Sequence, residues 1–498
     1  MMKLNKATLL LLALAPFANA KDITIGLNAD PDALDPDLSR TMVGREIYAS
    51  LFDKLIDVDP QMNYIPALAT HWEWVDDNKA LLLTLRQDVK FHDGTPFNAQ
   101  AVKYNLDRSM TIEGSRRKDE LEMVDHVEVV DEFTAKIVLK TPFVPLLAVL
   151  ADRAGMMVSP TAAEKEGNNF RRHPVGSGPF QFDSRVSQDR IVLTKFNDYW
   201  EADRYHFDKV TFLPLPDSTI RLANLQSGQL DIAERIAPSD IAAVNAAPDL
   251  VLAEANGIGY NGITFNLGYG AYQDKNMAVT DPRVRAAFEY ALDRSVLNQV
   301  VFAGQYLVEN QWVNSDSPFH APNLPIPARD VEKAKALLKQ AGYDSVNIEL
   351  LIPNTTESVQ IGQVLQAMEA EAGINLTLKT VEFATSLDMQ TKGEYEAILA
   401  GWSGRIDPDG NVYPFYGKDA PLNENGFADQ EVQDLIVLAR GEADVEKRKQ
   451  YYAQAMKRVL DTRPLIYFYF QKWQWGVSKE IQGFKAYGDG IPRLRDVQ

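Results

Sequence analysis

Short apolar runs and stretches of helical spacing take turns along the chain. Residues 21–26, 81–85, 127–130, 135–139, 191–196, 209–213 and 465–470 carry the alternation or compact apolar blocks of strands. Residues 44–56 read as a helix running into a strand. Residues 98–108, 219–227, 330–341 and 445–460 read as helices, with Asn98 as an N-cap and Gly228 and Gly342 as stops. The clearest helix opens at Asp281-Pro282, a capping acid followed by a proline suited to the first turn. Val284, Ala287, Phe288, Ala291 and Leu292 then fall on one face. Strands alternating with helices predict an α/β architecture. No internal repeat or low-complexity segment interrupts it.

The first twenty residues do not belong to that pattern. Lys3 and Lys6 precede an apolar stretch over residues 7–17, and Ala18-Asn19-Ala20 is a small-x-small site. This is the layout of a secretory signal peptide cleaved after Ala20, because the apolar stretch is too short to span a bilayer. A periplasmic protein is expected. The 498 residues are enough for about three domains or subdomains.

The formal net charge is −18, and loss of Lys3 and Lys6 makes it more negative still. Such a surface repels phosphate backbones and anionic lipid, which argues against a nucleic-acid partner. Cysteine is absent, so disulfides, thiolate metal sites and a lipidated N-terminal cysteine are excluded. The six histidines (His71, His92, His126, His173, His206 and His320) show no i, i+4 pair.

No nucleophile elbow, H-E-x-x-H or phosphate-loop sequence occurs. Gly257 to Gly262 spells G-x-G-x-x-G, but β-formers follow it where a dinucleotide site needs a helix N-terminus. Asp407-Pro408-Asp409-Gly410 lacks the remaining ligands of a calcium loop and reads as a turn. No catalytic residue, metal site or cofactor is expected.

Several ordered segments resemble the family 5 extracellular solute-binding proteins, the peptide, nickel, glutathione and opine receptors of bacterial ABC importers. They are Ala67-Leu68-Ala69-Thr70-His71-Trp72-Glu73, the run from Val89 to Phe97 containing Phe91-His92-Asp93-Gly94-Thr95-Pro96, Gly176-Ser177-Gly178-Pro179-Phe180, Asn197-Asp198-Tyr199-Trp200, and Asp281-Pro282-Arg283-Val284-Arg285 with Ala291-Leu292-Asp293-Arg294. The resemblance implies a two-lobed α/β periplasmic binding protein, type II and cluster C-like, with an extra subdomain on lobe 1. Residues 21–55, 175–255 and 475–498 would form the lobe 1 core, 56–174 the extra subdomain and 256–474 lobe 2. The function implied is capture of a small peptide-like or amino-acid-conjugate solute in the cleft and delivery to an inner-membrane ABC permease, by a monomer. A secreted hydrolase, a nickel- or haem-type receptor and a peptide-binding chaperone of the same fold are the competing readings. Missing catalytic motifs oppose the first, and histidine poverty opposes nickel.

The resemblance also points to a ligand loop. Gly401-Trp402-Ser403-Gly404-Arg405-Ile406-Asp407 follows an apolar strand over 397–400, at the carboxyl end where α/β proteins place ligands. In similar dipeptide and oligopeptide receptors, a Trp-x-x-Asp pattern here holds the peptide's α-ammonium. This chain has Arg405 at the acid's position. A guanidinium binds a carboxylate or phosphate through two parallel hydrogen bonds, so an anionic ligand group is expected. The competing reading pairs Arg405 with Asp407 or Asp409. Trp402 either stacks on ligand or fills the lobe interface, and Ser403 and Asp407 complete the loop. Arg153 interrupts the apolar stretch 146–158, with Asp152 as its obvious partner. Tyr260 and Asn261 fall at the outward hinge crossing, Tyr469 and Trp473 near the return.

Overall fold

A computed structural model describes residues 21–498, so the leader and its cleavage site lie outside the described residues. Two long strands, Leu250–Phe265 and Leu465–Ser478, pair antiparallel along nearly their whole length. Each is shared between two halves of one continuous sheet. Past the carboxyl half of Leu465–Ser478 the sheet continues through Ile232–Ala233, Asp22–Leu27, Lys209–Pro214, Arg190–Lys195 and Phe180–Val186. Past the carboxyl half of Leu250–Phe265 it continues through Ala397–Trp402, Val346–Pro353 and Ile374–Val381.

The two halves change over at a break in register between Asn256 and Tyr260. Bulges bend a strand and increase its twist, so the break sets the angle between the lobes. The glycines there are a packing requirement. A Cβ on Gly257 would lie 2.4 Å from the Gln471 carbonyl oxygen, and one on Gly259 2.4 Å from that of Trp402.

Each lobe has its own core. Ile23, Ile25, Ile47, Leu51, Phe212 and Trp475 centre the first lobe. Ile263, Phe288, Leu350, Leu365 and Phe468 centre one layer of the second, and Trp312, Val412, Ile436, Tyr452 and Tyr467 another. The extra subdomain is a four-stranded antiparallel sheet, in the order Ala69–Val75, Ala80–Leu85, Thr134–Leu139 and Val124–Asp131, with the helix Ala99–Thr111 against it. Its apolar cluster runs from Leu55 to Met157. Val158, Ala162 and Phe170 pack instead into the first-lobe core, so the subdomain's packing ends ahead of the boundary expected at 174.

Local signals behave as their chemistry requires. Asn98, Asp281 and Asp330 each accept a backbone N–H in the first turn of the helix they open. Asp407-Pro408-Asp409-Gly410, expected as a turn, instead leads into the helix Asp409–Tyr416. Burial of both acids in ion pairs, described below, stabilises the helical start.

His92 ties the subdomain to the Gly176–Phe180 turn. The Gly176 N–H donates to Nδ1 at 3.2 Å, which leaves Nε2 to donate to the Gly178 carbonyl at 2.9 Å. Burial lowers the imidazole pKa from 6.5 to about 4. Between those values the unfolded chain binds a proton that the native protein does not. The stability this group supplies is therefore intact above pH 6.5 and is lost as the pH falls through about 4. The loss is about 3 kcal/mol at most. Urea melts at pH 7 and pH 5 are expected to differ less in His92→Gln than in the parent. Equal differences would assign the titration to another group.

Candidate ligand-binding site

The strand Ala397–Trp402 delivers its last residues to the seam between the lobes, where Trp402 pairs with Tyr260. Asn411, buried on the following helix, fixes the loop. Its Oδ1 accepts the Trp402 indole N–H at 3.0 Å and the Arg405 N–H at 2.7 Å, and its amide donates to the Arg405 carbonyl at 3.2 Å. The Arg405 guanidinium lies 4.6 Å from the Trp402 ring centroid and donates to Ser403 Oγ and the Gly404 carbonyl. Trp402 meets Phe415 edge-on.

Arg405 does not pair with either neighbouring acid. Arg448 binds both Asp407 oxygens, at 2.6 and 2.7 Å. Asp409 lies 3.0 Å from Arg440, and its burial pushes that carboxyl up to about 6. Asp407, expected at the ligand, is held in a buried ion pair that braces the loop. Arg448 and Arg440 sit about thirty to forty residues beyond the loop, on the helices Val445–Thr462 and Gln430–Gly441, and gave no signal.

The Arg405 charge faces the other lobe. Burial lowers its pKa, while Glu120 and Asp152 of the first lobe pull upward and Arg45 and Arg117 add to the lowering. Asp152 is bound by Arg45 at 3.0 Å, with Arg153 Nε 4.0 Å away. Burial alone would raise the Asp152 carboxyl, yet Arg45, Arg153 and Arg405 hold it far below the usual range. Arg153 is buried and lowered to about 10 by that burial. Arg117 binds Glu120 at 2.5 Å. Four guanidinium groups thus meet two carboxylates. The Nε–H groups of Arg117 and Arg153 are buried without a partner. Arg45 and Arg117 escaped the sequence reading. The only signal was a charged residue among buried neighbours, as for Arg153.

Tyr260, Asn261, Trp402, Ser403 and Tyr469 line one cavity of about 660 Å³ in the second lobe. Tyr260 is buried among Phe415, Tyr467 and Phe470, and its hydroxyl has no hydrogen-bond partner. Tyr469 packs beside Phe302 and Tyr306. A second cavity of about 1430 Å³ lies between the lobes, with Tyr64, Trp72 and Leu147 on the subdomain side and Arg405, Ile406 and Asp407 opposite. Arg405 lines the second, while its neighbours Trp402 and Ser403 line the first. Trp473 lines neither of these cavities, and its indole N–H donates to the Gly488 carbonyl at 3.0 Å on the first-lobe side.

The lobes already touch. The Val144 N–H of the subdomain donates to the Arg440 carbonyl at 2.9 Å, and Ile406 packs onto the subdomain core. Among the described residues no group of His, Asp and Glu side chains is arranged to hold a metal ion, and no helix is long and apolar enough to cross a membrane.

Comparison with known proteins decides the family. Residues 63–423 match the model of the bacterial extracellular solute-binding proteins, family 5. The chain belongs to that family. This solute-binding protein is 29% identical over 486 residues to the glutathione-binding protein GsiB of Salmonella typhi, covering 95% of this chain and 93% of the relative. Its fold is similar to that of AgaA of A. tumefaciens R10 in complex with agropinic acid, with a TM-score of 0.80, 27% identity and coverage of 96% and 98%. It is similar in fold also to HbpA2 of Haemophilus parasuis, with a TM-score of 0.85, 24% identity and coverage of 96% and 99%. The two-lobed α/β binding fold is thereby established. So is the general role: a non-catalytic solute-binding component of an ABC importer, working outside the cytoplasm with a membrane permease as partner.

Proposed function

We propose that this solute-binding protein captures a small peptide-like or amino-acid-conjugate solute with an anionic group facing Arg405, and delivers it from the periplasm as a monomer. The observation that carries this reading is the excess of guanidinium groups where the lobes meet. Arg45, Arg117, Arg153 and Arg405 gather around Asp152 and Glu120, and the Nε–H groups of Arg117 and Arg153 have no partner. Burying unpaired cations is costly, so a ligand carboxylate that takes the free Nε–H positions stabilises the closed lobes. The names of GsiB and AgaA, one binding glutathione and the other complexed with agropinic acid, support an amino-acid conjugate. Cleavage after Ala20 and a division into lobe 1 core (21–55, 175–255, 475–498), subdomain (56–174) and lobe 2 (256–474) belong to the same proposal.

Thermal-shift screening tests it. Peptides, glutathione and opines with free carboxylates are expected to raise the melting temperature, and their methyl esters to lose most of that rise. A ligand at 100 times its Kd stabilises by about 2.7 kcal/mol. Esters that bind as tightly as the free acids would remove the anionic group from the proposal.

A further inference from the structure

Pro142, Phe143 and Val144 lie between the subdomain strand Thr134–Leu139 and the short helix Leu146–Leu150. Opposite them ends the second-lobe helix Gln430–Gly441. The last four carbonyls of a helix have no partner inside it. Here Arg448 Nε donates to the Ala439 carbonyl at 2.8 Å, and the Val144 N–H donates to the Arg440 carbonyl at 2.9 Å. The backbone of the subdomain therefore caps a helix of the second lobe. Pro145, directly after Val144, restricts that residue to extended backbone, which limits the ways its N–H can turn.

The Arg440 side chain completes the contact. Its guanidinium lies 3.5 Å from the Tyr413 ring centroid on its own lobe and 4.9 Å from the Phe143 ring centroid across the interface. A cation over an aromatic face gains most when desolvated, and this side chain is only 16% exposed. Asp409, 3.0 Å away, balances the charge. Phe143 is itself buried in the subdomain core, which holds its ring in place. A Cβ on Gly441 would lie 3.6 Å from the Pro142 Cβ, so the two backbones are in ordinary contact. Ile406, next to Arg405, packs onto the same subdomain core. Phe143 and Arg440 line neither cavity, but Val144 and Leu147 on one side and Ala443 and Val445 on the other line the 1430 Å³ one. The contact thus borders the space that Arg405 faces.

We propose that Phe143, Val144 and Arg440 form a clasp by which the extra subdomain holds the second lobe closed over the cleft. They are positioning residues: they act on how firmly solute is retained without touching it. Every atom of the clasp belongs to the protein, and the subdomain is bonded to the first lobe through His92, so the clasp draws the two lobes together as bodies. A solute can shift the open and closed populations only by its difference in affinity for them. Closure supplied by the clasp reduces the difference the solute must provide. This inference is independent of which chemical group faces Arg405.

Two measurements on protein stripped of solute by unfolding and refolding test the clasp. The first is hydrogen exchange at the Val144 amide, whose acceptor lies across the interface. It is expected to exchange at least about 100-fold more slowly than in an unstructured peptide. Phe143→Leu keeps the subdomain core apolar but removes the ring, and Arg440→Gln removes the cation. Each is expected to speed Val144 exchange at least about tenfold while the amides of Thr134–Leu139 stay protected, which shows the subdomain still folded. Either variant suffices if the other does not fold. The second uses the absence of cysteine from the chain. The Pro142–Gly441 separation falls within the roughly 3.5–4.5 Å between the Cβ atoms of a disulfide. Pro142→Cys combined with Gly441→Cys is expected to cross-link under mild oxidation. Small-angle scattering is expected to give the cross-linked protein and the parent the same radius of gyration, and Phe143→Leu a larger one. An unprotected Val144 amide in the parent, exchange unchanged in the folded variants, no cross-link, or a parent larger than the cross-linked form would overturn the proposal.

Discussion

Replacing Arg405 by alanine is expected to weaken binding of the protein's solute by roughly 30-fold to several-thousand-fold, the equivalent of about 2–5 kcal/mol for truncating one partner of a desolvated charge pair. The melting temperature of the free protein is expected to stay nearly constant. Arg405 donates only to Ser403 and the Gly404 carbonyl in its own loop, rests on the Trp402 face, and remains partly accessible. Little native packing is lost with it. Arg405→Lys is expected to recover part of the affinity, because an ammonium supplies charge without the planar fork. Calorimetric titration of the three proteins with one carboxylate ligand, alongside melts of the free forms, checks both halves. A variant that binds like the parent would make Arg405 a surface charge.

Breaking the Asp407–Arg448 pair is expected to act on stability first. Both Asp407 oxygens are held by Arg448, whose Nε–H also donates to the Ala439 carbonyl at 2.8 Å, and both side chains are buried. Arg448→Met strands a buried carboxylate and is expected to cost about 3–5 kcal/mol. The paired change Asp407→Leu with Arg448→Met removes both charges and is expected to recover most of that loss, as buried ion pairs replaced by apolar groups commonly do. Urea melts of the single and double variants measure the difference. A single variant as stable as the parent would mean that water reaches the pair. Binding is expected to weaken in the single variant as well, because the helix that carries Asn411 begins at Asp409 and holds the Trp402–Arg405 loop.

The class of fold was legible from the chain because its signals are local. Asn98, Asp281 and Asp330 cap helices through their own first turns, and Pro282 sits where no N–H is lost. Alternation over a few residues marks strands such as Asp22–Leu27 and Lys209–Pro214, because period-two burial is a property of each strand. Arg405 and Arg153 also stood out, one by its departure from a motif and one by its place in an apolar stretch, and the fold brings both charges to bear on Asp152 from opposite lobes.

Charge pairing across sequence distance was not legible. Whether Arg405 meets Asp407, two residues away, or Asp152, 253 positions back, depends on which helix carries a competing guanidinium, and Arg448 takes Asp407. The same holds for Glu46 and Glu234, which are 188 positions apart and meet because the helix Met42–Leu51 packs over the end of the first-lobe sheet. Trp473 went the other way. It lies on the return strand as expected, but its alternation turns it toward Gly488 and Arg235, away from the cavity beside Trp402. Sequence by itself determined the elements and the family, since caps, turns and periodicity act within a few residues. Tertiary structure alone decided which buried charges are spent on one another and which remain for a ligand, because electrostatic pairing follows distance in space and desolvation, and neither is written in local order.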